Sequence, residues 1–77
     1  SEMLLIRLLR GERSESGAIL RDDLLSDDSR SEEMRSQLIE DLIGRPISET
    51  TLSIVSELAK SDLELISSSA KNLLAEQ

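Results

Sequence analysis

Two residues near the end of the chain have the spacing of a serine nucleophile and its base. Ser68 and Lys71 form the pattern Ser-x-x-Lys, in which a lysine assists a serine hydroxyl in certain acyl-transfer enzymes. The pattern is short and the chain is rich in serine, so a polar helix face is the simpler explanation. The chemistry also needs further elements that 77 residues do not supply. We predict no catalytic residue and no enzyme activity.

The acidic segment Asp22–Glu33 has the length of a calcium-binding EF-hand loop. Such a loop needs oxygen ligands at its third and fifth positions and glycine at its sixth. This segment has Leu24, Ser26 and Asp27 there, and so it fails at the third and the sixth. We expect a solvated loop that caps a helix, and no metal site.

Several acidic residues are adjacent in sequence, which could suggest a pair of catalytic carboxylates. A working pair must share a cleft that separates the two pKa values, whereas adjacent helical residues point about 100° apart. Solvated helix faces are therefore expected for these pairs: Asp22 and Asp23, Asp27 and Asp28, Glu32 and Glu33, Glu40 and Asp41.

The composition excludes several other functions. The chain has no cysteine, histidine or aromatic residue, and thiolate or imidazole ligands and base-stacking side chains are therefore absent. Its formal charge of −7 repels nucleic acid. No apolar run reaches the roughly 20 residues that span a bilayer. We expect no cofactor, no nucleic-acid partner, no membrane insertion and, by default, a cytoplasmic location.

The elements that position these residues are all helical. Helical spacing of Leu, Ile, Val, Ala and Met predicts an all-α bundle of four to five short helices, forming one domain over residues 1–77, either whole or a fragment of a longer chain. Short connections of two to six residues favour antiparallel neighbours. Glu2–Arg10 should form a helix that ends at Gly11, and Ala18–Leu25 a second one.

Serine and glycine residues mark the later helix ends. Ser29 with Glu32 matches a capping box before a helix over Ser31–Ile43, which Gly44 should end. Ser48 should cap the next helix, and Ser61 with Glu64 should form a second capping box. Ser67–Ser69 predicts local weakness within the last helix, since serine favours caps and turns.

The segment Met3–Leu9 is apolar almost all the way round, which makes it the best candidate for a contact surface. Met3, Leu5 and Leu9 are the predicted contact residues, but burial of the segment in the core alone is the simpler explanation of its apolar pattern. Three arginines give this region a basic side, at positions Arg7, Arg10 and Arg13. They could receive an acidic partner helix, but salt bridges to Glu2, Glu12 and Glu15 are the expected arrangement.

The run Leu25–Leu65 resembles the N-terminal domain of the ATP synthase delta subunit, the family of the oligomycin-sensitivity protein. The resemblance rests on three helix-boundary features of this sequence, which are Leu25, Asp27, Ser29 and Arg30, then Leu42, Ile43, Gly44 and Arg45, then Ile47, Ser48, Thr51 and Leu52. The chain departs from the pattern at Lys60-Ser61-Asp62, where a basic-aromatic segment is expected.

The resemblance implies a non-catalytic clamp that joins the catalytic head and the peripheral stalk of a rotary ATP synthase. Such a domain binds the amphipathic N-terminal segment of the alpha subunit. It would belong to a complex that lies peripheral to the inner membrane. The implied groove residues are Leu52, Val55, Leu58 and Ala59. The alternative is an independent helical regulatory or adaptor module that associates with itself as a homodimer.

Overall fold

A computed structural model describes all residues, 1–77, and contains five α-helices. They are α1 (Glu2–Arg10), α2 (Glu15–Leu25), α3 (Glu32–Glu40), α4 (Glu49–Leu58) and α5 (Glu64–Ala75). No strand is present. The predicted all-α bundle of four to five short helices is therefore confirmed.

Helix α3 lies between α1 and α5, and the three helices run in the same direction. The Glu32 carboxylate accepts from the Leu65 N–H, and the Ser36 hydroxyl bonds the Ser69 hydroxyl. Both pairs lie 33 residues apart in the sequence, and a constant separation along the contact means that α3 and α5 are parallel. The first residue of α1, Glu2, bonds Ser31 at the start of α3. The most extensive packing joins α3 and α5, which are not consecutive. Consecutive helices also pack on each other, at α2 with α3 and at α4 with α5.

The core is a single cluster of apolar side chains around α3 and α5. Because each helix places residues three and four apart on one face, these side chains meet at the centre of the bundle. Its eleven buried members are Leu9, Leu24, Leu25, Met34, Leu38, Ile39, Leu42, Val55, Ile66, Ala70 and Leu73.

Two predicted capping boxes are wrong, because a different serine caps α3 and the Glu32 carboxylate accepts from the Leu65 N–H at the start of α5. The N-cap of α3 is Ser31, whose hydroxyl accepts from the Met34 N–H, while Ser29 bonds Asp27 instead. The N-cap of α5 is Leu63, which makes no side-chain cap. The cap at Ser48 is confirmed, since its hydroxyl accepts from the Thr51 N–H at 3.1 Å.

Helix α3 ends earlier than predicted. Regular helix stops at Glu40, and a tighter turn continues to Gly44, with the Ile43 N–H donating to the Glu40 carbonyl at 3.1 Å. Gly44 has φ +86°, a left-handed conformation that glycine adopts without steric cost. The connection to α4 therefore spans residues 41–48, longer than expected.

The serine-rich middle of α5 forms uninterrupted helix. Ser67 and Ser69 are buried, and Ser69 lies 2.6 Å from the Ser36 hydroxyl and donates to Glu40 at 2.9 Å. Serine is a poor helix former in isolation, but here its small hydroxyls meet partners across the α3–α5 contact.

Candidate functional site

Helix α1 has a buried face and an exposed face, and both are largely apolar. Leu5, Ile6 and Leu9 pack on the core, and Leu9 is only 3 % exposed. The opposite side carries Met3, Leu4, Arg7 and Leu8, which we name the outer face of α1. Its three apolar side chains, Met3, Leu4 and Leu8, are 64 %, 55 % and 64 % exposed.

The predicted contact residues of α1 therefore divide between the two faces. Met3 is accessible, Leu5 is half-buried, and Leu9 is a core residue that no partner reaches in this fold. Leu4 and Leu8 were missed by the sequence analysis, although their spacing of four places them on one helical stripe. The missing information was the direction of the core, which the apolar pattern on both sides of the helix does not give.

The groove residues implied on α4 lie mostly inward. Val55 is fully buried in the core, and so it cannot line an open groove. Leu52, Leu58 and Ala59 are half-buried. Leu58 and Ile54 border a shallow cleft of about 290 Å³ beside the end of α2. The apolar stripe of α4 thus serves chiefly to attach α4 to the bundle.

Hydrogen bonds of charged side chains attach both ends of α1 to other elements. At the first turn, the carboxylate of Glu2 accepts from the Ser31 hydroxyl at 2.6 Å and from the Ser31 N–H at 3.0 Å. At the last turn, Arg21 donates to the Leu9 carbonyl at 2.8 Å, and Arg45 donates to the Arg10 carbonyl. Arg45 thereby satisfies the Arg10 carbonyl, which the helix end leaves free, whereas the Leu9 carbonyl also accepts from the Glu12 N–H at 3.1 Å.

The hydrogen bonds from the hydroxyl and the N–H of Ser31 lower the pKa of the Glu2 carboxyl below its ordinary value of 4.5. The charged form of Glu2 is the one that accepts both bonds, and so folding favours it. At neutral pH this carboxylate therefore acts as a negatively charged acceptor at the start of α3, where the helix dipole is positive.

The expected salt bridges of the three basic residues are absent. Arg10 pairs with Asp41 at 3.7 Å, rather than with a glutamate. Arg7 and Arg13 have no carboxylate within 4 Å. The reason is that the glutamates have other partners: Glu2 binds Ser31, and Glu12 accepts from the Ser14 N–H at 3.0 Å. Arg7 therefore presents its charge to solvent on the outer face of α1.

A groove of about 310 Å³ runs between α1 and α3, beside the outer face of α1. Met3, Ile6 and Met34 supply its apolar floor, and Arg10 and Glu33 supply charge at its rim. The groove is open, and its side chains offer apolar contact with a few charged groups. This arrangement suits a helix laid along the surface better than an enclosed small molecule.

The residues considered for chemistry are not assembled into a catalytic or metal site. Ser68 and Lys71 are both exposed, and no hydrogen bond joins them. In the acidic segment, Asp22 accepts from the Thr51 hydroxyl at 2.7 Å. No group of three or more acidic side chains lies close enough together to hold a metal ion.

Each pair of adjacent carboxylates has one solvent-exposed member, as expected, and these are Asp23, Asp28, Glu33 and Glu40. In each pair at least one member accepts a bond or forms an ion pair within the domain: Asp22 with Thr51, Asp27 with Ser29, Asp28 with Arg35, Glu32 with the Leu65 N–H, Glu40 with Ser69, and Asp41 with Gln37. These carboxylates therefore have structural roles at helix ends and helix contacts.

Comparison with known proteins found no relative of this chain. No protein-family model, no curated protein and no solved structure matches the chain. None of the five helices has the length and hydropathy that crossing a bilayer demands. Functional inference for this domain therefore depends on its surface.

Proposed function

We propose that this chain is a non-catalytic domain that binds protein helices, with the outer face of α1 as its main contact surface. The observation that carries this proposal is the exposure of Met3, Leu4 and Leu8, each more than half accessible on one nine-residue helix. Contiguous exposed apolar side chains are typical of interaction sites. Polar side chains could occupy these positions without any cost to the core.

The charge beside this face indicates the kind of partner. Arg7 lies within the outer face of α1 without a carboxylate partner, and Arg10 is 58 % exposed beside the α1–α3 groove. An amphipathic helix whose apolar stripe is flanked by acidic residues would bury Leu4 and Leu8 and pair with these cations. Electrostatic complementarity of this kind favours the correct partner and speeds association.

The most concrete form of the proposal is a delta-type clamp in a rotary ATP synthase, and its partner would be the N-terminal segment of an alpha subunit. The resemblance over Leu25–Leu65 supports this form. The clamp would work in the cytoplasm, peripheral to the inner membrane. In this form, the alpha segment would lie along α1 and the α1–α3 groove, because the stripe of α4 containing Val55 packs inward.

Calorimetric titration with an alpha-type N-terminal peptide tests this form, and two matched serine variants locate the site. Leu8→Ser should weaken binding by about tenfold or more, since about 1.5–3 kcal/mol of apolar burial is removed. Leu65→Ser is the control, since Leu65 is 47 % exposed at the start of α5. Absence of binding, or an equal loss in both variants, would reject the clamp at this face.

The second candidate is a self-associating module, and the same exposed apolar side chains favour it. Two copies could bury Leu4 and Leu8 against each other, since a small domain often completes its apolar burial by association. Sedimentation equilibrium distinguishes the candidates. A monomer that gains one peptide supports the clamp, whereas a homodimer that Leu8→Ser dissociates and that ignores the peptide supports the module.

A further inference from the structure

A second feature, separate from the outer face of α1, is a cavity lined by three arginines. It has a volume of about 250 Å³ and lies where the start of α2 meets the turn after α3. Arg13, Arg21 and Arg45 line it together with one acidic residue, Glu12. We name this feature the arginine cavity. Its lining carries a net formal charge of +2 within a chain of net charge −7.

None of the three arginines has a carboxylate oxygen within 4 Å. The chain contains sixteen acidic residues, yet its four ion pairs involve Arg10, Arg30, Arg35 and Lys60. Glu12, the acidic residue of the lining, uses its carboxylate to accept from the Ser14 N–H at 3.0 Å. The charges of Asp22, Asp41 and Glu12 act on Arg21 from a distance, but no carboxylate forms an ion pair with an arginine of the lining.

Arg21 is the most deeply placed of the three, and its hydrogen bonding is incomplete. The residue is 5 % exposed, and its Nη2 group donates to the carbonyls of Leu9 at 2.8 Å and Glu12 at 3.4 Å. Its Nε has no hydrogen-bond partner. Burial, and then the positive charge of Arg45, lower the pKa of Arg21, while the charges of Asp22, Asp41 and Glu12 act in the opposite direction. A buried cation beside another cation is unfavourable unless an anion compensates both.

Carbonyl groups at the end of α1 accept from only a few of the N–H donors of these three arginines. Arg45 donates to the Arg10 carbonyl, and Arg13 makes no hydrogen bond through its side chain. A guanidinium group has five N–H donors, and so most donors of these three groups are unused. Ser14, the N-cap of α2, also lines the cavity, and the positive end of the α2 dipole is therefore close by.

We propose that the arginine cavity binds the dianionic phosphate group of a small phosphate monoester. Guanidinium groups match the oxygens of phosphate in pairs of parallel hydrogen bonds, and a dianion balances the +2 lining. The volume accepts a phosphate with a few attached atoms, whereas a whole nucleotide would extend outside. Glu12 opposes the anion, and its fixed bond to Ser14 holds its carboxylate in place.

Nuclear magnetic resonance titration tests the proposal on the whole chain. Inorganic phosphate and glycerol phosphate are added at constant ionic strength, with sodium chloride as the reference, and the Nε–Hε signals of the arginines are followed. We expect saturable shifts for Arg21 and Arg45 with both phosphates. Tighter binding of glycerol phosphate would assign a monoester, whereas a preference for inorganic phosphate would overturn that assignment.

Two variants, each of which replaces one cationic side chain with neutral glutamine, provide a test and its control. Arg13→Gln removes an exposed cavity cation that has no structural partner, and it should weaken phosphate binding by about tenfold, as expected for charge-assisted hydrogen bonds. Lys71→Gln removes an exposed charge outside the cavity and should leave the affinity unchanged. Equal losses in both variants, or shifts that chloride reproduces, would overturn the proposal. The alpha-type peptide experiment is independent of this result.

Discussion

Helix α3 has two parallel neighbours, and the two contacts are built differently. The α3–α5 contact is closed: Leu38, Ile66 and Leu73 are fully buried, and hydroxyl groups bond across it. The α1–α3 contact combines a narrow apolar strip with charged side chains at each end, at Glu2 and Arg10. The comparison teaches that α5 is a core element, whereas α1 is attached along one side and displays the other.

Truncation of one leucine in α5 and one in α1 should give the largest difference in the free energy of unfolding between the two contacts. Leu73→Ala should lower the free energy of unfolding by about 2–5 kcal/mol, because it leaves a cavity in the α3–α5 contact. Leu8→Ala should change it by less than about 0.5 kcal/mol, since Leu8 is 64 % exposed. Urea denaturation measures both, and similar losses would show that α1 is as much a core element as α5.

The buried hydroxyls of α5 provide the next test. Ser69→Ala should cost about 1 kcal/mol, because the variant loses the bonds to Ser36 and Glu40. Ser68→Ala is the matched control, since Ser68 is exposed and makes no hydrogen bond through its side chain. The same urea measurement applies. A stable Ser69→Ala variant would mean that apolar packing alone holds α5 on α3.

The attachment of α1 should depend on pH through Glu2. The pKa of Glu2 in the folded protein lies below 4.5, so its stabilising effect is complete above that pH and is lost as the pH falls through the lower folded-state pKa. Glu2→Gln should therefore be less stable than the wild type at pH 7, with a difference that shrinks on acidification. Unfolding measured between pH 3 and pH 7 tests this.

A control variant separates the role of Glu2 from a general effect of acid. Asp27→Asn removes another carboxylate whose pKa is lowered, here by hydrogen bonds from Ser29 within one loop. Hydrogen exchange should accelerate throughout α1 in Glu2→Gln and remain unchanged there in Asp27→Asn. Equal protection of α1 in both variants would contradict the assigned role of Glu2.

The other end of α1 should give the smallest effect. Arg10→Gln removes an ion pair at 3.7 Å whose arginine is 58 % exposed, and we expect a loss below about 0.5 kcal/mol. Asp41 keeps the bond from Gln37 in this variant. Thermal unfolding at low and high salt measures the difference. A larger loss would mean that both ends of α1 are held equally firmly.

The sequence predicted the helical class and most helix positions because these depend on local patterns. Apolar spacing and the glycines gave the extent of α1 and the turn that closes α3. The candidate surface was only partly predictable. Met3–Leu9 was identified as a contact segment, but its inward and outward residues could not be distinguished, since both sides of the helix are apolar.

Helix capping marks the boundary between what the sequence by itself determined and what the tertiary structure decided. Ser48 and Thr51 lie three residues apart, and so their cap could be recognised from local spacing. The Ser31 hydroxyl caps the Met34 N–H with the same spacing of three. The additional carboxylate contacts at the starts of α3 and α5 come from Glu2 and Glu32, which lie 29 and 33 positions from Ser31 and Leu65. Serine spacing cannot reveal such partners, because only packing of the helices brings carboxylate and N–H groups together.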